Sequence, residues 1–215
     1  MTYLELVNNI LIRLREREVT SVNDSAYSKL IGQFVNDAMQ EIERSWDWSA
    51  LRTTVSATTS TDIFNYELNG TGNDFEILNV INDTTNIFME YKTSHEFDNW
   101  YLNQTPVSGS PKYYSWNGVS DDGDTQVDLY PKPDGVYSLR FNMIKRNAAM
   151  TSDTDTLAIP SHPVQMLAYA KAVDERGEDG GTSAQSAFAT AQRVISDAIA
   201  LDSARHPEEL IFAAV

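Results

Sequence analysis

The sequence contains no cysteine and only three histidines in 215 residues. The absence of cysteine excludes disulfides, thiolate catalysis and cysteine-ligated zinc, so stability must come from packing and assembly. Long apolar runs are also missing, since stretches such as residues 75–81 are far too short to span a bilayer. The first four residues, Met-Thr-Tyr-Leu, lack the basic start of a secretory signal. We therefore expect a soluble, unexported protein without membrane contact.

Motifs of catalysis and ligand binding are missing as well. His95, His162 and His206 lie in three different segments, with no HExxH motif and no paired ligand spacing. No GxSxG, Walker or GxGxxG sequence occurs. The acidic segment Asp121-Asp-Gly-Asp124, with Asp128 nearby, lacks EF-hand spacing. It indicates a solvated turn rather than a calcium site. We expect no catalytic residue, no metal and no cofactor, and an acidic-site hydrolase is the enzymatic alternative.

Positive charge is scarce in this chain. It has 16 lysines and arginines against 31 aspartates and glutamates, which gives a net charge of -15. Phosphate binding requires clustered basic side chains, and a surface this acidic repels duplex DNA. The composition therefore argues against tight DNA binding. Two interpretations stay open, a plain solvated surface and the wall of a conduit that DNA does not stick to.

Helices are predicted at both ends of the chain. Thr2-Tyr-Leu-Glu5 is a capping-box pattern, and apolar residues at helical spacing follow it. Ser25 or Asp24 can cap the next helix, and Gly177 breaks the helix that follows Pro160. The predicted helices cover, to within a few residues, 3–17, 25–48, 160–175 and 183–204.

Strands are predicted in the middle of the chain. From residue 52 to about residue 146, stretches rich in Thr, Val, Ile, Phe and Tyr are separated by Asn-Gly, Asp-Gly and Pro-Asp-Gly turn signals. In the last strand, Tyr137, Leu139, Phe141 and Met143 share one face. The predicted strands are residues 52–59, 63–68, 75–81, 87–91, 112–116, 126–130 and 136–145.

These elements together predict an α+β fold. Helices from residues 1–50 and 151–205 would form one helical lobe, and the antiparallel strand-rich region, residues 51–150, would be inserted as a second lobe. Residues 206–215 contain a proline break and end in six apolar residues, which are poorly protected in a monomer. We predict that they form a docking tail, and packing against their own subunit is the alternative.

A pattern spread over nearly the whole chain resembles a known family. Its parts are the Leu-rich first helix, the Trp46-Asp-Trp48 exit of the second, the segments 109–118 and 127–146, and the polar loop 152–163. In order and spacing they resemble the tail tubular protein A type of head-to-tail adaptor of short-tailed phages, and related phage adaptors. The Trp-Asp-Trp exit is the most telling part.

The resemblance implies a structural virion protein and not an enzyme. Its subunits would form a ring, expected to contain twelve copies, between the portal protein and the tail nozzle or next tail protein. DNA would pass through the centre without specific binding. The expected location is the head-tail junction of the virion, after assembly in the host cytoplasm. A carbohydrate-binding phage tail or surface module, whose exposed tryptophans stack on sugar rings, is the alternative function.

The candidate site residues fall into two groups. The contacts to the portal or to a neighbouring subunit are expected from the apolar tail, namely Leu210, Ile211, Phe212 and Val215. Structural roles are implied for two tryptophans where the helices meet the sheet and for two prolines at a strand end, namely Trp46, Trp48, Pro131 and Pro133.

Overall fold

Helices occupy both ends of the described chain, and strands occupy its middle. The computed structural model describes residues 1–102, 105–177 and 181–205. Contacts within the chain divide it into a helical unit, Met1–Leu51 with Arg146–Val215, and a strand unit, Arg52–Lys145. The helices and the sheet confirm the predicted α+β class. In chain order the elements are α1 (Tyr3–Arg13), α2 (Ala26–Ser45), a 3-10 turn (Ser49–Leu51), β1 (Arg52–Thr58), β2 (Asn65–Glu67), β3 (Phe75–Asn82), β4 (Ile87–Tyr91), α3 (Ser94–Leu102), β5 (Tyr113–Val119), β6 (Thr125–Tyr130), β7 (Ser138–Lys145), α4 (Ser161–Arg176) and α5 (Thr182–Arg205).

α1 begins as predicted but ends earlier than predicted. Its capping box is present, because the Glu5 N–H donates to Thr2 Oγ1 at 3.3 Å and the Thr2 N–H donates to Glu5 Oε2 at 2.9 Å. The helix stops at Arg13, because Arg15 takes the left-handed backbone conformation, with φ of 62°. The Glu16 N–H then reaches back over the helix end to an α1 carbonyl, as in a Schellman motif. Glycine usually fills the left-handed position, so an arginine there gave no sequence signal.

α4 is the buried centre of the helical unit. It packs against α1, α2 and α5. Gly177, left-handed with φ of 63°, ends it at the predicted position. Since α1 and α2 come from the other end of the chain, this packing joins residues far apart in sequence. The buried residues of α4 lie on more than one face, namely Pro163, Val164, Gln165, Met166, Leu167, Ala168, Ala170 and Ala172.

The connector that leads to α4 is fastened along α2 by two polar side chains. The Asn36 amide donates to the Met150 carbonyl and accepts from the Met150 N–H, both at 2.9 Å. Glu43 is buried, and its carboxylate accepts from the backbone N–H and the side-chain Nδ2 of Asn147, both at 2.9 Å. A buried carboxylate is costly without such partners. These hydrogen bonds therefore fix the connector to the helical core.

The strand unit is a seven-stranded sheet with the order β1-β7-β3-β4-β5-β6-β2. Five of the six neighbouring strand pairs are antiparallel, as predicted. The pair β4 and β5 is parallel, which the sequence analysis did not predict. Parallel neighbours need a crossover connection, and α3 lies in the connection between these two strands. Both β1 and β2 are edge strands.

β7 supplies the middle of the sheet's core. Leu139, Phe141 and Met143 are fully buried, and the residues between them are half-buried. The predicted alternation of faces along this strand is therefore confirmed. The rest of the core comes from other strands and loops, namely Leu68, Val80, Met89, Tyr114, Val127 and Leu129.

The sequence analysis missed α3. The helix begins with a capping box, in which the Glu96 N–H donates to Thr93 Oγ1 at 3.4 Å and the Thr93 N–H donates to Glu96 Oε2 at 3.0 Å. The hydrogen bonds that the Glu96 carboxylate accepts from the Thr93 N–H and from the Thr93 hydroxyl lower the pKa of Glu96. Phe97 is buried and its ring meets Tyr130 of the sheet. The sequence Thr93-Ser-His-Glu96 was the available signal, but the helix is too short to show a clear apolar period.

Asp124 gives the acidic turn a structural role. Its carboxylate accepts the N–H groups of Gly70 and Gly72, each at 2.7 Å. These hydrogen bonds lower the pKa of Asp124. Gly70 and Gly72 both have positive φ, 79° and 65°. This backbone conformation lets the N–H groups of both glycines point at the Asp124 carboxylate. Asp121 and Asp122 are exposed, as expected for a solvated turn.

We predict that Asp124→Asn lowers the stability of the strand unit at neutral pH. The lowered pKa of Asp124 means that its stabilising effect is present above the ordinary aspartate pKa of about 3.9 and is lost as the pH falls below it. The difference in melting temperature between wild type and variant should therefore shrink on acidification. Asp121→Asn, at an exposed position of the same turn, is the matched control. Equal melting temperatures for the two variants at pH about 7 would contradict the assigned role.

Candidate partner-binding site

The predicted docking tail lies outside the described residues. This applies to all of residues 206–215, including Leu210, Ile211, Phe212 and Val215. The described residues next to it in the chain are the last turns of α5, which ends at Arg205. The surroundings of these turns are the part of the predicted site that the structure shows.

One carboxylate ties the end of α5 to the end of α2. Asp202 accepts a hydrogen bond from the indole N–H of Trp46 at 3.1 Å. It also accepts from the Ser49 N–H at 3.0 Å and from the Ser49 hydroxyl at 2.6 Å. Hydrogen bonds to a charged acceptor are among the stronger ones in proteins. The start of the tail therefore leaves from a helix end that is held in place.

The two tryptophans of the Trp-Asp-Trp segment have different surroundings. Trp48 is completely buried, and its indole N–H donates to the Ile42 carbonyl at 2.8 Å. Trp46 is half-buried and uses its indole N–H for Asp202. Both lie within the helical unit, and their predicted place where helices meet the sheet stays a prediction.

Pro131 and Pro133 lie directly after β6. The Tyr130–Pro131 peptide bond is cis. Pro133 is buried, and its carbonyl accepts from the Asp62 N–H at 2.9 Å. Because proline has no N–H to donate to a neighbouring strand, the two residues suit the end of a strand.

α5 buries little of its surface. Among its described residues only Ala184 and Ala191 are buried, although the helix packs along α4. Leu201 is 71% exposed. Other apolar residues at helical spacing on α5 form a half-covered stripe, namely Phe188, Val194, Ile195, Ala198 and Ile199. The helix that leads into the tail thus has apolar surface left over.

The aromatic cluster of the strand unit is packed and not displayed. Trp100 stacks on Tyr130 with ring centroids 4.6 Å apart, and Trp116 meets Phe75 edge to face at 5.5 Å. The Tyr101 hydroxyl donates to a backbone carbonyl at 2.7 Å, and burial raises the pKa of this phenol. None of the four tryptophans, all within the described residues, is classed as exposed. All four indole rings are therefore at least partly covered by their own chain.

The described histidines and acidic side chains form no metal-binding cluster. His95 and His162 are exposed on different helices, and His206 lies outside the described residues. Within residues 1–102, 105–177 and 181–205, no group of three or more acidic or histidine side chains could hold a metal ion. A cavity of about 480 Å³ is lined mainly by cationic and apolar side chains, namely Arg13, Leu14, Arg15, Tyr169, Val173, Arg176 and Ser183. Arg176 there is already paired with Glu16 at 2.6 Å.

No helix in the described part of the chain is long and apolar enough to cross a membrane.

A comparison with protein families identifies the family of the chain. The family model for the SU10 adaptor protein matches residues 1–209, which include every element described above. The chain belongs to the SU10 adaptor protein family. This is a family of phage head-to-tail adaptors, so the resemblance predicted from the sequence is confirmed. No curated protein matches the chain. As a member of the SU10 adaptor family, the protein is a phage adaptor.

Sequence reasoning missed the residue that anchors α5. Asp202 is one of 31 acidic residues, and no local pattern marks the one that meets Trp46 and Ser49 across 153 or more positions. The two tryptophans were singled out through the family resemblance, and an indole N–H at a helix end calls for an acceptor. That requirement was the only available signal, and it does not identify the acceptor.

We predict that Asp202→Ala destabilises the helical unit by about 1–3 kcal/mol, because the variant leaves the Trp46 indole and the Ser49 groups without their charged acceptor. Asp197→Ala, at an exposed position on the same helix, is the control. Denaturant unfolding followed by helical circular dichroism measures both. Equal unfolding free energies for the two variants would show that the Asp202 contacts contribute nothing.

The two tryptophans should differ in their contribution to stability. Trp48→Ala removes a completely buried side chain and is predicted to cost about 3–5 kcal/mol. Trp46→Ala removes a half-buried one and should cost clearly less. Thermal and denaturant melts test the order, and an equal or larger loss for Trp46→Ala would reverse the assignment.

Proposed function

We propose that the protein is a structural subunit that forms a ring between the phage portal and the tail nozzle or next tail protein. The ring is expected to contain twelve copies, to sit at the head-tail junction of the virion after assembly in the host cytoplasm, and to give DNA a passage. The observation that carries the proposal is the adaptor family match over residues 1–209.

The surface of α5 supports assembly into a ring. A long helix normally hides its apolar stripe, but most of this stripe is half-covered and Leu201 is exposed. Single exposed apolar residues are common on monomers, whereas a half-covered stripe along one helix suits a surface that a neighbouring subunit completes. In a ring of identical copies, each subunit presents two different patches to its neighbours.

The distribution of charge supports passage of DNA without binding. The net charge is -15, and much of the scarce positive charge is already engaged within the chain. Phosphate binding needs several free lysines or arginines close together. The ion pairs that engage basic side chains are Lys92–Glu90, Lys132–Asp62, Arg140–Asp83, Lys171–Glu41 and Arg176–Glu16.

The C-terminal tail is the proposed contact to the portal or to a neighbouring subunit. Its apolar side chains are the candidate contacts, namely Leu210, Ile211, Phe212 and Val215. Burying a Leu, Ile or Phe side chain against a partner contributes about 1.5–3 kcal/mol before ordering costs. The Asp202 contacts hold the helix end from which this segment continues.

A structural role also fits the chemistry of the described residues. The acidic turn uses Asp124 to bind backbone N–H groups, and the described histidines are exposed on different helices. We propose that the protein catalyses no reaction. The carbohydrate-binding alternative is less favoured, because the four indole rings are packed against their own chain.

We predict that the purified subunit is a monomer or weak oligomer and that the portal templates its ring. Each unit has its own buried core, so folding does not depend on the ring. Mixing with portal at micromolar concentration should give a large species in sedimentation velocity. If the two proteins never sediment together, the adaptor role at the portal is wrong.

Deleting residues 208–215 tests the tail. Docking predicts a nearly unchanged melting temperature together with lost ring or portal association. Packing of the tail on its own subunit predicts instead a lower melting temperature. A truncated protein that still assembles and joins the portal normally would contradict docking. The substitution Phe88→Ala, at a 72% exposed position on β4, controls for a general loss of apolar surface.

A further inference from the structure

β1 leaves one long backbone edge of the sheet open. It pairs with β7 through all seven of its residues, with no shift in register. β1 is the terminal strand of the sheet, and no described strand or isolated bridge pairs with its other side. Alternate N–H and C=O groups of an edge strand point away from its neighbour. A row of backbone donors and acceptors without a strand partner therefore runs along residues 53–58 of β1.

β1 also lacks the features that usually protect such an edge. Proteins guard open edges with short strands, prolines, lysines, bulges or inward charges. The opposite edge strand, β2, is only three residues long. β1 is a regular seven-residue strand, and after Arg52 it contains only Thr, Val, Ser and Ala. Five of its seven residues are exposed. The β2 edge is thus protected by its short length, whereas the β1 edge is long and regular enough to pair with another strand.

Electrostatics favours this edge for contact between copies. Each copy carries a net charge of -15, so two copies repel each other wherever carboxylates face carboxylates. Residues 53–61 contain no charged side chain. The run covers β1 beyond its first residue and the turn after it. Two identical acidic subunits can therefore approach here with little like-charge repulsion.

A chain of side-chain hydrogen bonds ends at the same edge. Asn142 on β7 donates from Nδ2 to Asn79 Oδ1 on β3 at 2.7 Å. The Thr54 hydroxyl on β1 donates to Asn142 Oδ1, also at 2.7 Å. The chain thus crosses three strands. A hydroxyl that donates one hydrogen bond can still accept others, so Thr54 can accept from a polar side chain on an added strand.

We propose that a second copy of this chain adds an extended strand to the β1 edge, so that the sheet continues from one subunit to the next. This inference rests on the proposed ring. A closed ring brings two different patches together, so the added strand comes from a region other than β1. Backbone hydrogen bonds hold the strand, and Val55 and Ala57, which are half-buried at the rim of the core, become covered by it.

Hydrogen–deuterium exchange tests the proposal without any substitution. Amides of residues 52–58 are compared between the free subunit and the portal-bound ring. Their exchange should slow by about tenfold or more in the ring, because the outward N–H groups gain acceptors. Amides of residues 138–145 are the control, since β7 is paired on both sides in a single subunit. Equal exchange of β1 in both states overturns the proposal.

The number of bound subunits separates a second copy from the portal as the source of the strand. At less than one subunit per portal, and with native mass spectrometry showing portals that carry a single subunit, a bound subunit has no neighbour to pair with. β1 should then exchange as fast as in the free protein. Protection already at this ratio would assign the strand to the portal and would overturn the proposal.

Guarding the edge with lysine gives a second test. The pair Ser56→Lys and Thr58→Lys changes two exposed residues on one face of β1. The control pair, Thr85→Lys and Thr151→Lys, adds the same charge at exposed positions outside β1. Native mass spectrometry should find complete rings on the portal for wild type and control, and incomplete rings for the edge variant. Complete rings with a folded edge variant overturn the inference and leave the adaptor role intact. Failure of the wild type to bind the portal instead counts against the proposed function.

Discussion

Burial of α4 is the interaction on which the helical unit depends. This helix comes from the last third of the chain, yet it packs against α1 and α2 from the first. Apolar side chains on several faces of α4 need neighbours on several sides. The helix would therefore be unstable if it were exposed to solvent. The strand unit can therefore lie in the middle of the sequence while helices from before and after it pack together. The Asn36 and Glu43 contacts hold the connector of this arrangement in place.

The same packing positions the helix that precedes the proposed docking tail. α5 lies along α4, and Asp202 fixes its far end to Trp46 and Ser49. The segment proposed to dock follows directly after that end. A tail on a fixed base loses less freedom on binding than one on a loose helix. In the other unit, β1 offers an open edge with an uncharged side-chain surface beyond Arg52. An acidic chain can thus place its assembly contacts where like charges do not oppose them.

Much of the fold could be predicted because its signals are local. The capping box at Thr2, the alternation along β7 and the break at Gly177 each depend on a few neighbouring residues. Long-range partners could not be predicted in this way. Asp124 meets Gly70 across 54 positions and Asp202 meets Trp46 across 156, and nothing near either aspartate names its partner. Arg15 hid the end of α1 because it occupies a conformation that favours glycine. The tail was chosen from composition, and its docking role stays a proposal.

We propose that the chain builds a closed ring at the head-tail junction. Electron cryo-microscopy of the intact virion tests this directly, with the helical unit and the strand unit fitted separately into the density of the neck. We expect a closed ring of identical subunits directly beneath the portal, with both units visible in every copy and an open central channel. Absence of the fold from the neck, or its appearance only on fibres or at the distal tail tip, would show that the proposed ring is wrong.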